Sequence, residues 1–180
     1  MENVVERGFE PVKVEARKTE GRLPLRGTKT SAGYDFYATE DLVIKPEEKV
    51  FFWTDIKAKM REGEVLLGFI RSSKGVKQDL MLANTVAVID SDYYGNENND
   101  GNIGLSIRNL KPKFRLDGME RLRVGYREFE IPLITDLTKE NTVVIKAGER
   151  VAQFIFVKFE ESENCNSEEV RTGGFGSTLK

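Results

Sequence analysis

Apolar residues in this chain come in short runs, several of which alternate with polar residues. PVKVEA (11–16) alternates strictly after Pro11. LVI (42–44), KVFFW (49–53), VLLGFI (65–70), TVAVI (85–89), IGLSI (103–107), TVVI (142–145) and VAQFIFV (151–157) follow. Val, Ile and Phe dominate these runs, and KPEE, REGE, YYGNENNDG and KAGER separate them. β-Branched and aromatic side chains pack well on a pleated surface, whereas Gly, Pro, Asn and Asp favour chain reversal. Many short strands at roughly even spacing predict an all-β sandwich or barrel. One short helical turn is expected at 78–84, QDLMLAN. Two stretches break the rhythm. Residues 112–140 mix charges with little alternation, and LDGMERLRVGYREFE within them reads as a helix candidate. Residues 160–170, EESENCNSEEV, are acidic and polar and read as a solvated linker. There is no internal repeat.

Composition narrows the chemistry. The chain has 180 residues, enough for one domain with a sizeable core. Its formal net charge of -2 advertises no nucleic-acid surface, so an anionic ligand would need locally supplied positive charge. The single cysteine, Cys165, allows no intrachain disulfide and fits a reducing, cytoplasmic setting. No apolar run approaches the ~20 residues of a membrane span, and MENVVERGFE has no signal-peptide pattern. Histidine is absent, which removes a Ser-His-Asp triad, a Cys-His pair and any His-ligated zinc. Acid-base work falls to Asp, Glu, Tyr or Lys, and a metal would be a hard, oxygen-liking ion such as Mg²⁺.

Five stretches could carry chemistry. AVIDSDYYG (87–95) runs an apolar strand into Asp90, Asp92 and two tyrosines; it is either a hairpin turn with solvated acids or a carboxylate base beside a pocket wall. RSSKG (71–75) is either a polar turn or an oxyanion cradle of charge, hydroxyls and backbone N–H groups. AGYDFYA (32–38) sets Asp35 between aromatic residues, where a structural carboxylate could hold a loop. In GERVAQFIF (148–156), Gln153 shares the parity of Val151 and Ile155 and is expected to point inward, where an amide needs a partner. RTGGFGST (171–178) lacks the lysine of a phosphate-binding P-loop. It reads either as a disordered tail or as a Gly-rich arm: Gly174 and Gly176 would let Phe175 lie flat on a planar base, leaving Arg171, Ser177 and Thr178 for phosphates.

The order AGYD, RSS, VIDSDYYG, GERVAQ and RTGGFGST resembles the five ordered motifs of the trimeric deoxyuridine triphosphatases (dUTPases), from about residue 28 to residue 178. The resemblance implies a β jelly roll, of the β-clip kind, that forms a homotrimer with a swapped C-terminal arm. Residues 1–160 would form the β domain, with an insertion at 112–140, and 161–180 the linker and arm. Each site would draw the hairpin around Asp90 from one subunit, AGYD, RSS and GERVAQ from a second, and the arm from a third. The substrate would be dUTP, cleaved to dUMP and pyrophosphate.

The resemblance also implies roles. Asp90 would orient and deprotonate the water that attacks the α-phosphorus. Arg71, Ser72, Ser73, Gln153 and Arg171 would line the phosphates. Mg²⁺ would be held mainly by the triphosphate, with Asp35 reaching it through water. Asn84 would pair with the uracil edge, Tyr93 would sit under the deoxyribose, and Phe175 would stack on the base, with Gly176, Ser177 and Thr178 closing the arm over the nucleotide.

The chain departs from the family pattern in four places. Only Thr172, Gly173 and Gly174 separate Arg171 from Phe175, Tyr94 stands where Arg or Gln is usual, NENNDG (96–101) lengthens the hairpin, and 112–140 is inserted. Two alternatives stand beside dUTP hydrolysis. A dCTP deaminase shares the fold but needs a carboxylate on the strand after the hairpin, and GLSIRN (104–109) has none. A dUTPase-shaped regulator would dock a repressor or other protein through 112–140.

Overall fold

The computed structural model describes residues 7–164. Its elements in chain order are β1 (Gly8–Pro11), β2 (Leu25–Arg26), β3 (Tyr34–Tyr37), β4 (Leu42–Ile44), β5 (Lys49–Trp53), β6 (Ile56–Lys59) and β7 (Glu64–Ile70). Helix α1 (Ser72–Gln78) comes next, then β8 (Leu80–Leu82), β9 (Ala87–Asp90) and β10 (Gly104–Asn109). Strands β11 (Phe114–Val124) and β12 (Arg127–Asp136), helix α2 (Thr138–Asn141), β13 (Val143–Ile145) and β14 (Arg150–Lys158) complete it.

The strands form a five-stranded sheet in the order β2-β3-β14-β7-β9, a three-stranded sheet β5-β10-β8, and the pairs β1-β6, β13-β4 and β11-β12. Among the described residues the strands pair antiparallel, which lets alternate residues point into one core. Phe36, Leu66 and Phe154 of the larger sheet meet Phe52, Leu105 and Ile107 of the smaller one in a single apolar cluster. The Phe36 and Phe154 rings lie 4.3 Å apart. Beside them Gly68 has no alternative, because a Cβ there would lie 2.2 Å from the Phe154 ring. The expected all-β jelly-roll architecture is therefore present. Among the described residues, no helix is long and apolar enough to cross a membrane.

Three local expectations are corrected. The alternating run 11–16 is no strand: β1 ends at Pro11 and Val14–Ala16 makes a 3₁₀ turn. Side chains hold this segment instead of a ladder. The Asp100 carboxylate accepts the Lys13 N–H at 2.7 Å, and the Asp55 carboxylate accepts the Lys18 N–H at 3.1 Å. The helical turn expected at 78–84 lies earlier, at Ser72–Gln78. Asp79, in left-handed backbone at φ 54°, ends it, and Leu80–Leu82 pairs with β10. The helix candidate within 112–140 is a two-stranded ribbon. Gly125 takes φ +63° in the two-residue turn between Val124 and Arg127, the tight reversal that places glycine first.

Candidate active site

Strand β7 organises the site residues. At its C-terminal end Arg71 donates its N–H to the Val151 carbonyl at 2.9 Å, and its own carbonyl accepts the N–H groups of Lys74 at 2.9 Å and Gly75 at 2.8 Å. Arg71 thus fastens β7 to β14 and caps α1. Ser72 and Ser73 occupy the first turn with exposed side chains. On β14, Gln153 pairs with Phe69 of β7 on one side and with Asp35 of β3 on the other. Asp35 is buried, and an unpartnered buried carboxylate is costly. Here Arg71 Nε and Arg150 Nη1 each lie 3.3 Å from one of its oxygens. AGYD, RSS and GERVAQ, distant in sequence, therefore converge.

The expectation that Gln153 points inward fails. A bulge between Arg150 and Ala152 shifts the phase of β14, so Val151 and Ala152 are both buried and Gln153 is exposed. Its side chain lies over Gly33, where an added Cβ would sit 3.1 Å from Oε1. Parity counted along the run could not reveal an extra residue in one strand.

Asp90 lies elsewhere. It ends β9 opposite Val65, near the start of β7, whereas Arg71 follows the end of that strand. At ~3.3 Å per residue, Asp90 and Arg71 stand about 20 Å apart along the sheet. Asn84 is exposed in the turn between β8 and β9. Next to it Thr85 takes φ 62°, a left-handed conformation rare for a β-branched residue, with its N–H held by the Leu82 carbonyl at 2.8 Å.

Tyr93 is buried, and its hydroxyl is doubly engaged: it donates to the Asn102 carbonyl at 2.7 Å and accepts from Asn99 Nδ2 at 2.7 Å. Asn96 Nδ2 donates to the Tyr93 carbonyl at 2.8 Å. Gly101, at φ +82°, passes so close that a Cβ would meet that carbonyl at 2.7 Å. Below the loop, Lys57 Nζ and Asp100 Oδ2 form a buried pair at 2.8 Å, and Lys57 sits 4.8 Å from the centre of the Tyr94 ring. Burial pushes the Asp100 carboxyl up, but the Lys57 ammonium and the Lys13 N–H bring it below its ordinary value. Tyr94 donates to Glu10 at 2.8 Å; that bond, with burial and the Glu10 charge, pushes its phenol up to about 12. The loop read from sequence only as a lengthened hairpin is thus the scaffold of Tyr93. The one available signal was the density of Asn in NENNDG, a residue whose amide bonds backbone locally. Lys57 had no such signal, whereas Arg150 stood out as a charge on the otherwise apolar run GERVAQFIF.

Arg171, Phe175, Gly176, Ser177 and Thr178 lie outside the described residues. Among those described, no group of three or more carboxylate, Cys or His side chains is placed to hold a metal. Asp35, already between two guanidiniums, offers one hard oxygen donor. This suits an Mg²⁺ ion carried by a polyphosphate better than an all-protein cage.

Comparison with known proteins agrees with this arrangement. The family model for dUTPase matches residues 19–119. The deoxyuridine 5'-triphosphate nucleotidohydrolase of Lactococcus lactis is 38% identical over 175 residues, covering 96% of this chain and 97% of its own. The crystal structure of dUTPase from Streptococcus mutans has a TM-score of 0.64 and 35% identity, covering 87% of this chain and 99% of its own. The dUTPase of phage phi11 of S. aureus, solved with its species-specific insert visible, has a TM-score of 0.62 and 26% identity, covering 96% and 99%. On the family match, the near full-length identity and the shared fold, this chain belongs to the dUTPase family.

Proposed function

We propose that this chain hydrolyses dUTP to dUMP and pyrophosphate, as a dUTP diphosphatase, at sites assembled between copies in a homotrimer. One observation carries the shared site. Asp90 and the Arg71–Ser72–Ser73 group sit at opposite ends of β7, too far apart to meet one triphosphate within a single chain. A neighbouring copy can bring its Asp90 hairpin to the Arg71 end.

In this reading Asp90 orients the water for in-line attack on the α-phosphorus and takes its proton. A general base of this kind contributes about 10²–10⁴-fold. Arg71, Ser72, Ser73 and Gln153 hold the phosphates, and Asp35 keeps Arg71 and Arg150 in place. Mg²⁺, when carried in on the triphosphate, supplies charge neutralisation, and Asp35 would reach it through water. Asn84 and the strained turn at Thr85 face the uracil edge. Once the closed site covers these polar groups, a wrong base would leave them unpaired, which is how large discrimination arises. Tyr93, locked by Asn99 and Asn102, excludes a 2′-hydroxyl. Residues 1–160 form the β domain and 161–180 the arm, in which Phe175 stacks on the base, Arg171 holds the terminal phosphate and Gly176, Ser177 and Thr178 complete the closure. The setting is a reducing cytoplasm, where removing dUTP keeps uracil out of DNA and supplies dUMP.

A second role is favoured by the ribbon of β11 and β12, which exposes Leu122, Val124, Phe129 and Leu133: docking of a partner protein through 112–140. It does not exclude catalysis.

The test mixes two variants. Asp90→Asn and Arg71→Ala are each expected to be inactive on dUTP. Denatured together and refolded, they should form mixed trimers in which some sites pair an intact Asp90 with an intact Arg71, restoring part of the pyrophosphate release. No recovery, with trimers formed, would overturn the shared site. Release of ammonia from dCTP in place of pyrophosphate from dUTP would overturn the reaction.

A further inference from the structure

Helix α1 is built the wrong way round for a surface helix. Its sequence, SSKGVKQ, has one apolar side chain, Val76, and that residue is 81% exposed. Lys74 is buried instead, and Gln78, one turn on and on the same face, is half-buried. An ammonium taken out of water needs a partner. Glu149 supplies it: Lys74 Nζ donates to Glu149 Oε2 at 2.6 Å, and Glu149 Oε1 accepts the Lys146 N–H at 2.8 Å. These two donors hold the Glu149 carboxyl below its ordinary value. Burying a lysine where a valine was at hand contributes little to stability, since a buried ion pair is commonly no better than an apolar one. It does fix geometry.

Seven residues are too few to hold a helix by themselves, so the orientation of α1 is set by what it touches. The bond from the Arg71 N–H to the Val151 carbonyl ties the start of α1 to β14 at one point. The Lys74–Glu149 pair ties the same two segments at a second point, three residues along the helix and one residue before β14. Glu149 is a firm anchor, because its carbonyl accepts the Ala38 N–H at 2.9 Å and its N–H donates to the Lys146 carbonyl at 3.0 Å. One tie leaves a pivot; two fix a direction. We infer that Lys74 and Glu149 are positioning residues, whose pair sets the angle of α1 against β14 and so places Ser72 and Ser73 relative to Gln153. The inference rests on the reading of those three as phosphate ligands in dUTP hydrolysis. Lys74, spent on Glu149, acts through the serines rather than on the nucleotide. A misplacement of about 1 Å in such ligands can cost about 10²-fold in rate.

The experiment compares wild type, Lys74→Met, Glu149→Gln and the double variant in dUTP kinetics, urea unfolding and amide hydrogen exchange. Each single variant should lower kcat about tenfold or more and leave KM within about threefold. The double variant should be no worse than the poorer single one, because both substitutions break one tie. Exchange at the amides of α1 should quicken about tenfold in all three, with the sheet amides unchanged. A mere contribution of charge has a different signature. Lys74→Met would then raise KM, and Glu149→Gln, which removes a negative charge beside an anionic substrate, would lower it. That pattern, or additive losses in the double variant, overturns the inference. So does a lowered unfolding midpoint with unchanged kcat, the mark of a purely structural pair. If Lys74→Met fails to fold, Glu149→Gln is judged by the same criteria; it keeps the acceptor for the Lys146 N–H. A wild type that leaves dUTP intact would remove the reading of the reaction. The exchange result would then decide the tie alone, and unchanged protection in α1 would overturn it.

Discussion

The loop 95–102 and the ribbon 114–136 are the two segments that the sequence marks as extensions, and the protein treats them in opposite ways. The loop turns its polar side chains inward. Asn96 and Asn99 spend their amides on Tyr93 and on each other, Asn102 donates its amide to the Asp55 carboxylate at 2.7 Å, and Asp100 closes on buried Lys57. The ribbon turns its apolar side chains outward. Leu122 faces Phe129 and Gly118 faces Leu133 across one surface, while Arg121 faces Glu130 and Arg123 faces Glu128 across the other. Leu122 and Phe129 each remain 47% exposed. A lone two-stranded ribbon is marginal in water; this one is joined to the core at its base, where Leu137 is buried and donates its N–H to the Lys113 carbonyl. A segment thus joins the folded core when it satisfies buried polar groups, and stays an appendage when its partners are mainly its own cross-strand neighbours.

The contrast can be broken most sharply on the hairpin that carries the loop. Asp90→Asn should lower kcat by about 10²–10⁴-fold while an unreactive dUTP analogue still binds, as pyrophosphate release and calorimetry would record. Turnover within threefold of wild type would remove Asp90 as the base. Next, Lys57→Ala should cost about 3 kcal/mol in urea unfolding, because it strands a buried carboxylate. A loss below about 0.5 kcal/mol would mean that the loop is held by its amides alone.

Asn99→Ala should have a smaller, more specific effect. Freeing the Tyr93 hydroxyl from one of its two partners should raise kcat/KM for UTP relative to dUTP by about tenfold, with little change for dUTP itself. An unchanged ratio would separate loop order from sugar selection.

The loop should also respond to alkaline pH through the tyrosine beside it. The folded Tyr94 phenol titrates above its unfolded counterpart, so its contribution is complete below the unfolded value near 10 and disappears as pH rises through about 12. The stability gap between wild type and Tyr94→Phe should therefore shrink from pH 9 to pH 12. Asp100 has the opposite sign: its folded pKa lies below the unfolded one, so its contribution is present at neutral pH and fades as pH falls through the folded value.

The ribbon should give the smallest effects. Replacing 113–139 with a short Gly-Ser link should change kcat/KM for dUTP by less than about tenfold, since loop length costs little entropy. Loss of activity in a folded trimer would mean that the ribbon reaches the site. Arg121→Ala should shift the midpoint of unfolding hardly at all, about 0.5 kcal/mol or less for an exposed pair.

The sequence by itself determined the fold class and the family. Alternation of Val, Ile and Phe needs only neighbours along the chain, and LVI (42–44) and KVFFW (49–53) match β4 and β5 residue for residue. The ordered motifs likewise sit in single stretches, so the family could be recognised before any contact was known, and with it the roles proposed for Asp90, Arg71 and Tyr93. Tertiary structure decided what depends on partners far along the chain. A bulge against β3 turned Gln153 outward. A carboxylate at Asp100, forty-three residues from Lys57, drew an ammonium into the interior. The 112–140 stretch became a ribbon because cross-strand pairing outweighed the helix propensity of Leu, Met, Glu and Arg, residues whose intrinsic preferences differ by only a few tenths of a kcal/mol. Local pattern records which residues want burial; only the folded chain fixes which distant groups are there to pair with them.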